Sequence, residues 1–162
     1  MHALTESAIR SSLVNASVRE RKALGLPQGF PGLPWEEMDF LGWRDPRSPQ
    51  TGYLVIPLDD MFVGIILRLG GRQARTRPQC SFCRDVHLPN EVSFFSAKLS
   101  GAAGRKGDTV GILMCSRFEC SANVRVLPSA MFAGDDPEVV RQQRIAALRK
   151  HLGGFARRIL EG

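Results

Sequence analysis

Long apolar runs are missing from this chain of 162 residues. None reaches the ~18 residues a membrane-spanning helix needs. The start, Met1-His2-Ala3-Leu4-Thr5-Glu6, lacks a charged segment followed by an apolar core, so it does not read as a secretory signal, and the expected location is the cytoplasm. Histidine is scarce: His2, His87 and His151 stand apart, and neither HExxH nor GxSxG occurs, which removes the zinc-protease and serine-hydrolase readings. The glycines between Gly101 and Gly107 do not form a GxxxxGK[ST] phosphate loop. With no acid/base pair visible either, the chain is expected not to be an enzyme. Acidic residues are outnumbered, 16 against 22 lysines and arginines, giving a net charge of +6. That balance favours an acidic partner such as nucleic acid, the ribosome or a negatively charged protein.

Cysteine is also sparse, and its placement is the most informative feature present. The only four fall as two close pairs, Cys80/Cys83 and Cys115/Cys120. A structural zinc ion takes four ligands at tetrahedral corners and accepts thiolates readily. The tight turn Cys80-Ser-Phe-Cys83 puts two sulfurs on one side of a bend, as in a zinc knuckle. Cys115-Ser-Arg-Phe-Glu-Cys120 suits one thiolate at a strand end and the other in the first turn of a helix, whose positive end favours negative charge. A redox CxxC, two disulfides and four metal-free thiols are the competing readings; a reducing cytoplasm disfavours the disulfides. His87 is close enough to Cys83 to compete as a ligand, but four thiolates already close the coordination shell and leave no position for a reacting water.

Along the chain, the sequence predicts an amphipathic helix over Leu4–Leu24, capped by Thr5 with Leu4 folded over Ile9, and ended by Gly25 and Pro27. The sequon Asn15-Ala16-Ser17 carries no meaning without export. Leu26 to Pro49 reads as a proline-punctuated loop that Trp35, Phe40, Leu41 and Trp43 pin to a sheet. Tyr53–Ile56 and Phe62–Leu69 read as an antiparallel hairpin turning at Asp59-Asp60, apolar enough to be buried on both faces. An arginine-rich arm follows, with Arg68, Arg72, Arg75, Arg77 and Arg84. Val92–Ala97 and Val110–Met114 form a second hairpin joined by a mobile basic loop over Lys98–Asp108. A short helix from Cys120 is stopped by Pro128. The last helix starts at Asp136-Pro137 and carries an apolar stripe, Ile145, Leu148, Leu152, Phe155 and Ile159, with Gly153-Gly154 as a candidate kink.

Knuckle, hairpin, then a helix bearing the last ligand is the order of a treble clef. The expected fold class is therefore α+β: an antiparallel sheet with flanking N- and C-terminal helices and an embedded treble-clef finger. We divide it as 1–79 (helix, tryptophan loop, strand hairpin), 80–127 (finger) and 128–162 (final helix), packed as one compact unit. The cofactor is one structural zinc ion on Cys80, Cys83, Cys115 and Cys120.

The segment Trp35-Glu-Glu-Met-Asp-Phe-Leu-Gly-Trp-Arg-Asp-Pro46, then Cys80-Ser-Phe-Cys83, a hairpin and Cys115-x4-Cys120-Ser121, resembles the C-terminal treble-clef domain of elongation factor G-binding proteins, over nearly the whole chain. These are the FusB-type fusidic acid resistance proteins. The resemblance implies binding of elongation factor G through the finger and help in freeing it from drug-stalled ribosomes. Resistance-conferring members carry a helical bundle ahead of this domain, where here Leu4 to Leu24 precedes the tryptophan loop. From the finger's local chemistry the partner surface is assigned to Phe82, Phe94, Phe95, Lys98, Arg105, Lys106, Arg117 and Phe118. Phe82 and Phe118 are preferred, because aromatics inside ligand turns have little room to reach a core. Phe94 and Phe95 adjoin on a strand, so one points inward and the other outward. The alternative is a zinc-dependent protein that binds the ribosome or nucleic acid through the arginine arm and the basic last helix.

Overall fold

In a computed structural model, residues 1–71, 78–85, 88–127 and 136–162 are described. Arg72, Arg75, Arg77, His87 and Pro128, to which the sequence assigns roles, lie outside the described residues.

Five antiparallel strands form one sheet in chain order: β1 (Leu41–Asp45), β2 (Ser48–Leu58), β3 (Met61–Leu69), β4 (Val92–Lys98) and β5 (Thr109–Cys115). The β2–β3 hairpin turns at Asp59-Asp60, and Asp59 takes the left-handed conformation (φ 50°) that such a tight turn requires. Alternation along these strands divides the interior in two. Leu54, Ile56, Val63, Ile65 and Leu67 face one core, which also holds the four cysteines. Tyr53, Val55 and Ile66 face a second core with Leu41 and Trp43. This explains the nearly continuous apolar runs: both faces are covered.

The final helix, α5 (Pro137–Glu161), covers the first face with Ile145, Leu148, Leu152, Phe155 and Ile159 all buried. Asp136 caps it by accepting the Glu138 N–H at 2.9 Å. It runs through Gly153-Gly154 without a break. Gly153 is buried, and a Cβ there would meet Leu58 at 3.6 Å, an ordinary van der Waals contact.

The second face is covered by the N-terminal segment, which differs from the single helix expected. It forms α1 (Glu6–Ser12) and α2 (Val18–Ala23). Two local forces break it. Ser17 and Glu20 make a reciprocal capping box that starts a new helix. Leu13 to Asn15 lies along β3: the Val14 N–H donates to Gly64 O at 2.9 Å, and the Asn15 side chain donates to Ile66 O at 3.0 Å while accepting the Ile66 N–H at 2.8 Å. A Cβ on Gly64 would sit 2.4 Å from Ser12 Oγ, so this approach requires glycine. Asn15, the sequon residue, is thereby engaged within the protein.

Two further expectations are corrected. Residues 41–45 of the tryptophan loop are a strand, since no proline interrupts them, and Trp43 stacks on Tyr53 at 4.9 Å between ring centroids. Between β4 and β5 stands a helix, α3 (Gly101–Lys106), in place of a mobile loop. Its alanines favour helix, and Gly107 ends it in the left-handed conformation (φ 100°).

Candidate metal centre and the surface around it

The first thiol pair lies in a turn fastened at both ends. Ser81 N–H donates to Leu113 O at 2.8 Å, and Arg84 N–H closes the turn on Cys80 O at 3.0 Å with Arg84 left-handed (φ 52°). Cys115 is the last residue of β5, and Cys120 is the first of α4 (Cys120–Arg125). The bend between them is held by Phe118 N–H to Cys115 O at 3.0 Å, again with a left-handed residue, Phe118 (φ 63°). Strand end and helix start thus present the second pair as the spacing predicts.

The four sulfurs lie within 4.8 Å of one another, and all four residues are buried. Cys80 Sγ stands 3.6 Å from Cys120 Sγ, and Cys83 Sγ 3.7 Å from Cys115 Sγ. A disulfide needs about 2.05 Å, so none is formed. Four sulfurs bound tetrahedrally about 2.3 Å from a zinc ion stand about 3.8 Å apart, which these distances match. Both short distances join one thiol of the first pair to one of the second, as corners of one tetrahedron do.

The electrostatics point the same way. Hydrogen bonds from Cys115 and Cys120 bring the Cys80 thiol down to about 7, and the same neighbours draw Cys83 below the ordinary thiol range. Cys120 is pushed up, because Cys115, Cys80 and Cys83 already crowd it and burial adds to the cost of charge. Thiols packed this closely cannot all ionise alone; a dication at their centre removes the conflict.

Sequence reasoning missed the group that supports the cluster. Asn123, buried in α4, donates its side-chain N–H to Cys115 Sγ at 3.5 Å and lies 3.8 Å from Cys83 Sγ. Asn90 donates in turn to Asn123 Oδ1 at 3.2 Å. Such donors orient thiolates and disperse their charge. The available signal was spacing: three residues after Cys120 on a helix is the same face. Asp39 was also missed. Its fully buried carboxylate accepts from Arg149 Nε at 2.8 Å and pairs with Arg125, and its N–H donates to Ser121 Oγ at 3.0 Å. Burial opposes its charge, but the two guanidinium groups outweigh burial and hold its carboxyl below the usual range.

The aromatic residues assigned to a partner surface divide sharply. Phe82 is 2% exposed, Phe95 0% and Phe118 7%. This overturns the preference for Phe82 and Phe118. Phe82 packs between Phe40 and Phe155, with centroid distances of 6.4 and 5.7 Å, and its carbonyl accepts from His151 Nδ1 at 2.9 Å. Phe118 lies against Phe95 at 5.8 Å and over Gly42, where a Cβ would fall 2.8 Å from it. The physical reason is that a ligand turn with both sulfurs directed to one ion must send its remaining large side chain backward, into the core beneath. Phe94 is the outward member of its pair at 44% exposed. Lys98, Arg105 and Lys106 are exposed on the end of β4 and on α3, and Arg117 is exposed at the ligand bend, paired with Glu119 at 3.1 Å.

Fold and site together define a treble-clef zinc protein, in which one structural ion closed by four thiolates holds the β4–β5 hairpin against α4 and the knuckle. No helix among the described residues is long and apolar enough to cross a membrane. The profile of the FBP C-terminal treble-clef zinc-finger family matches residues 8–159, and the chain belongs to that family. No curated protein and no solved structure matches the chain with significance.

Proposed function

We propose that this protein is a non-enzymatic binding module for a translational GTPase, elongation factor G, acting in the cytoplasm through the surface that the zinc site holds in place. The observation that carries the reading, beyond family membership, is an exposed aromatic and exposed cations on one hairpin: Phe94 on β4, Lys98 at the end of β4, and Arg105 and Lys106 on α3. An aromatic anchor with basic residues on the same hairpin suits a negatively charged protein partner. Release of the factor from the ribosome, the activity that the family resemblance implies, is part of the same proposal. The ribosome- or nucleic-acid-binding alternative has weaker support. On the last helix Arg141, Arg144, Arg149 and Arg157 are engaged with Glu138, Asp85, Asp39 and Asp59.

The test is calorimetric titration of the zinc-loaded protein with elongation factor G at moderate salt. Phe94→Ala should weaken binding at least ~10-fold, corresponding to an anchor of over ~1 kcal/mol. No measurable binding by the folded wild type would sink the reading.

A further inference from the structure

β5 is the edge of the sheet, and the hydrogen-bond pattern shows which of its backbone groups are unused. Leu99 N–H donates to Asp108 O at 3.0 Å and Ser116 N–H to Glu91 O at 2.8 Å, so even-numbered residues of β5 bond to odd-numbered residues of β4. The N–H and C=O groups of Thr109, Gly111 and Leu113 therefore point away from the sheet. Leu113 O is taken by Ser81 N–H at 2.8 Å. Among the described residues no other backbone group is hydrogen-bonded to this edge.

The edge is also unprotected. Natural sheets guard a free edge with lysine, proline or a bulge, and Thr109-Val-Gly-Ile-Leu113 contains neither charge nor proline and pairs with β4 in unbroken register. Beside it the ring of Phe94 lies over Gly111, where a Cβ would meet it at 2.4 Å. A groove of about 300 Å³ adjoins the ring, with Leu69, Gly70, Pro78 and Leu113 in its walls. At the Thr109 end stand Lys98, Arg105 and Lys106, none in an ion pair among the described residues.

We infer that the outer edge of β5 accepts an extended acidic segment of a partner protein as a sixth strand. Its backbone pairs with Thr109 and Gly111, stopping short of Leu113, whose carbonyl Ser81 already occupies; an apolar side chain opposite Gly111 lies on Phe94, and its acidic residues meet Lys98, Arg105 and Lys106. Backbone pairing supplies affinity and alternate side chains supply selectivity. Cations at one end favour an acidic strand over a second copy of this chain, whose net charge is also +6. This edge mode rests on the reading above that the Phe94 surface meets a protein, and it specifies how.

The test is amide exchange by NMR on the full zinc-loaded chain, with a synthetic ten-residue peptide of alternating glutamate and valine as probe. Free protein should exchange Thr109 and Gly111 quickly and Val110 and Ile112 slowly. Saturating peptide should slow the first two about tenfold or more. A peptide N-methylated at alternate residues should neither bind nor slow them, and Thr109→Pro, which removes one outward N–H at the first residue of the strand, should weaken the unmodified peptide several-fold. Outward amides already protected in the free monomer, self-association through β5, or equal binding of the methylated peptide would each overturn the inference. Elongation factor G that still binds at saturating peptide overturns the edge mode and leaves the proposed function standing. A peptide that binds while the factor does not overturns the proposed function and leaves the edge mode standing.

Discussion

At the scale of single residues, the phenylalanines separate stability from recognition. Phe118 is buried against Phe95 and Gly42, so Phe118→Ala should cost about 3–5 kcal/mol in unfolding free energy, whereas Phe94→Ala, at a half-exposed site, should cost under ~1 kcal/mol. Denaturant titration of the zinc-loaded variants separates the two; similar losses would mean that Phe94 belongs to the core. Asn123 makes a different prediction. Removing its N–H from Cys115 Sγ with Asn123→Ala should weaken zinc binding about 10–100-fold, measured by competition with a chromophoric chelator. Unchanged affinity would reduce Asn123 to a packing residue.

Among elements, the Asp39 ion cluster is the tie between the tryptophan segment, α4 and α5. Removing one partner from a buried pair leaves the other charge uncompensated, so Asp39→Asn should lose about 3 kcal/mol. Arg149→Ala, at a guanidinium 65% exposed, should lose under ~1 kcal/mol. The sign of the pH effect follows from the direction of the shift. Asp39 has a lower pKa folded than unfolded, so its contribution is complete above the unfolded value of about 3.9 and disappears as pH falls through the folded value. Wild type should therefore lose stability relative to Asp39→Asn as acid is added below about pH 4. Chemical denaturation at a series of pH values reads this, and parallel curves for the two proteins would contradict it.

For the molecule as a whole, the two cores predict an uneven response to metal removal. The cysteines, β4, β5 and α4 share one core, while Trp43, Tyr53, Ile9 and Leu13 occupy the other. Among the described residues β4 meets β3 over a short stretch, at Arg68↔Ser96 and Leu69↔Phe95 and through the Gly70 N–H to Phe94 O at 2.8 Å. Chelation should release the hairpin and α4 first, because the free energy of metal binding is also free energy of folding. Hydrogen exchange should show early loss of protection over Val92–Lys98 and Thr109–Arg125, with Tyr53–Val55 retained longer. Uniform loss would indicate one cooperative unit. Metal analysis of the loaded protein should return one zinc per chain.

The sequence by itself determined whatever depends on short spacing. Cys80-x2-Cys83 and Cys115-x4-Cys120 define local turns, so ligand identity, the strand-end and helix-start placement of the second pair, and the treble-clef order were readable. So were the Asp59-Asp60 hairpin and the stripe of α5, because turn chemistry and periodicity are local. Only the tertiary structure decided what depends on distant partners. Leu13 to Asn15 leaves the helical path because β3 offers hydrogen bonds about fifty residues further along the chain. Phe82 and Phe118 turn inward because Phe40, Phe155 and Gly42, all remote in sequence, form the cavity that receives them. Which face a side chain meets is set by what another segment places there, and neither spacing nor composition carries that information. The same holds for the outer edge of β5, where among the described residues Ser81 bonds to Leu113 and the outward groups of Thr109 and Gly111 stay unpaired.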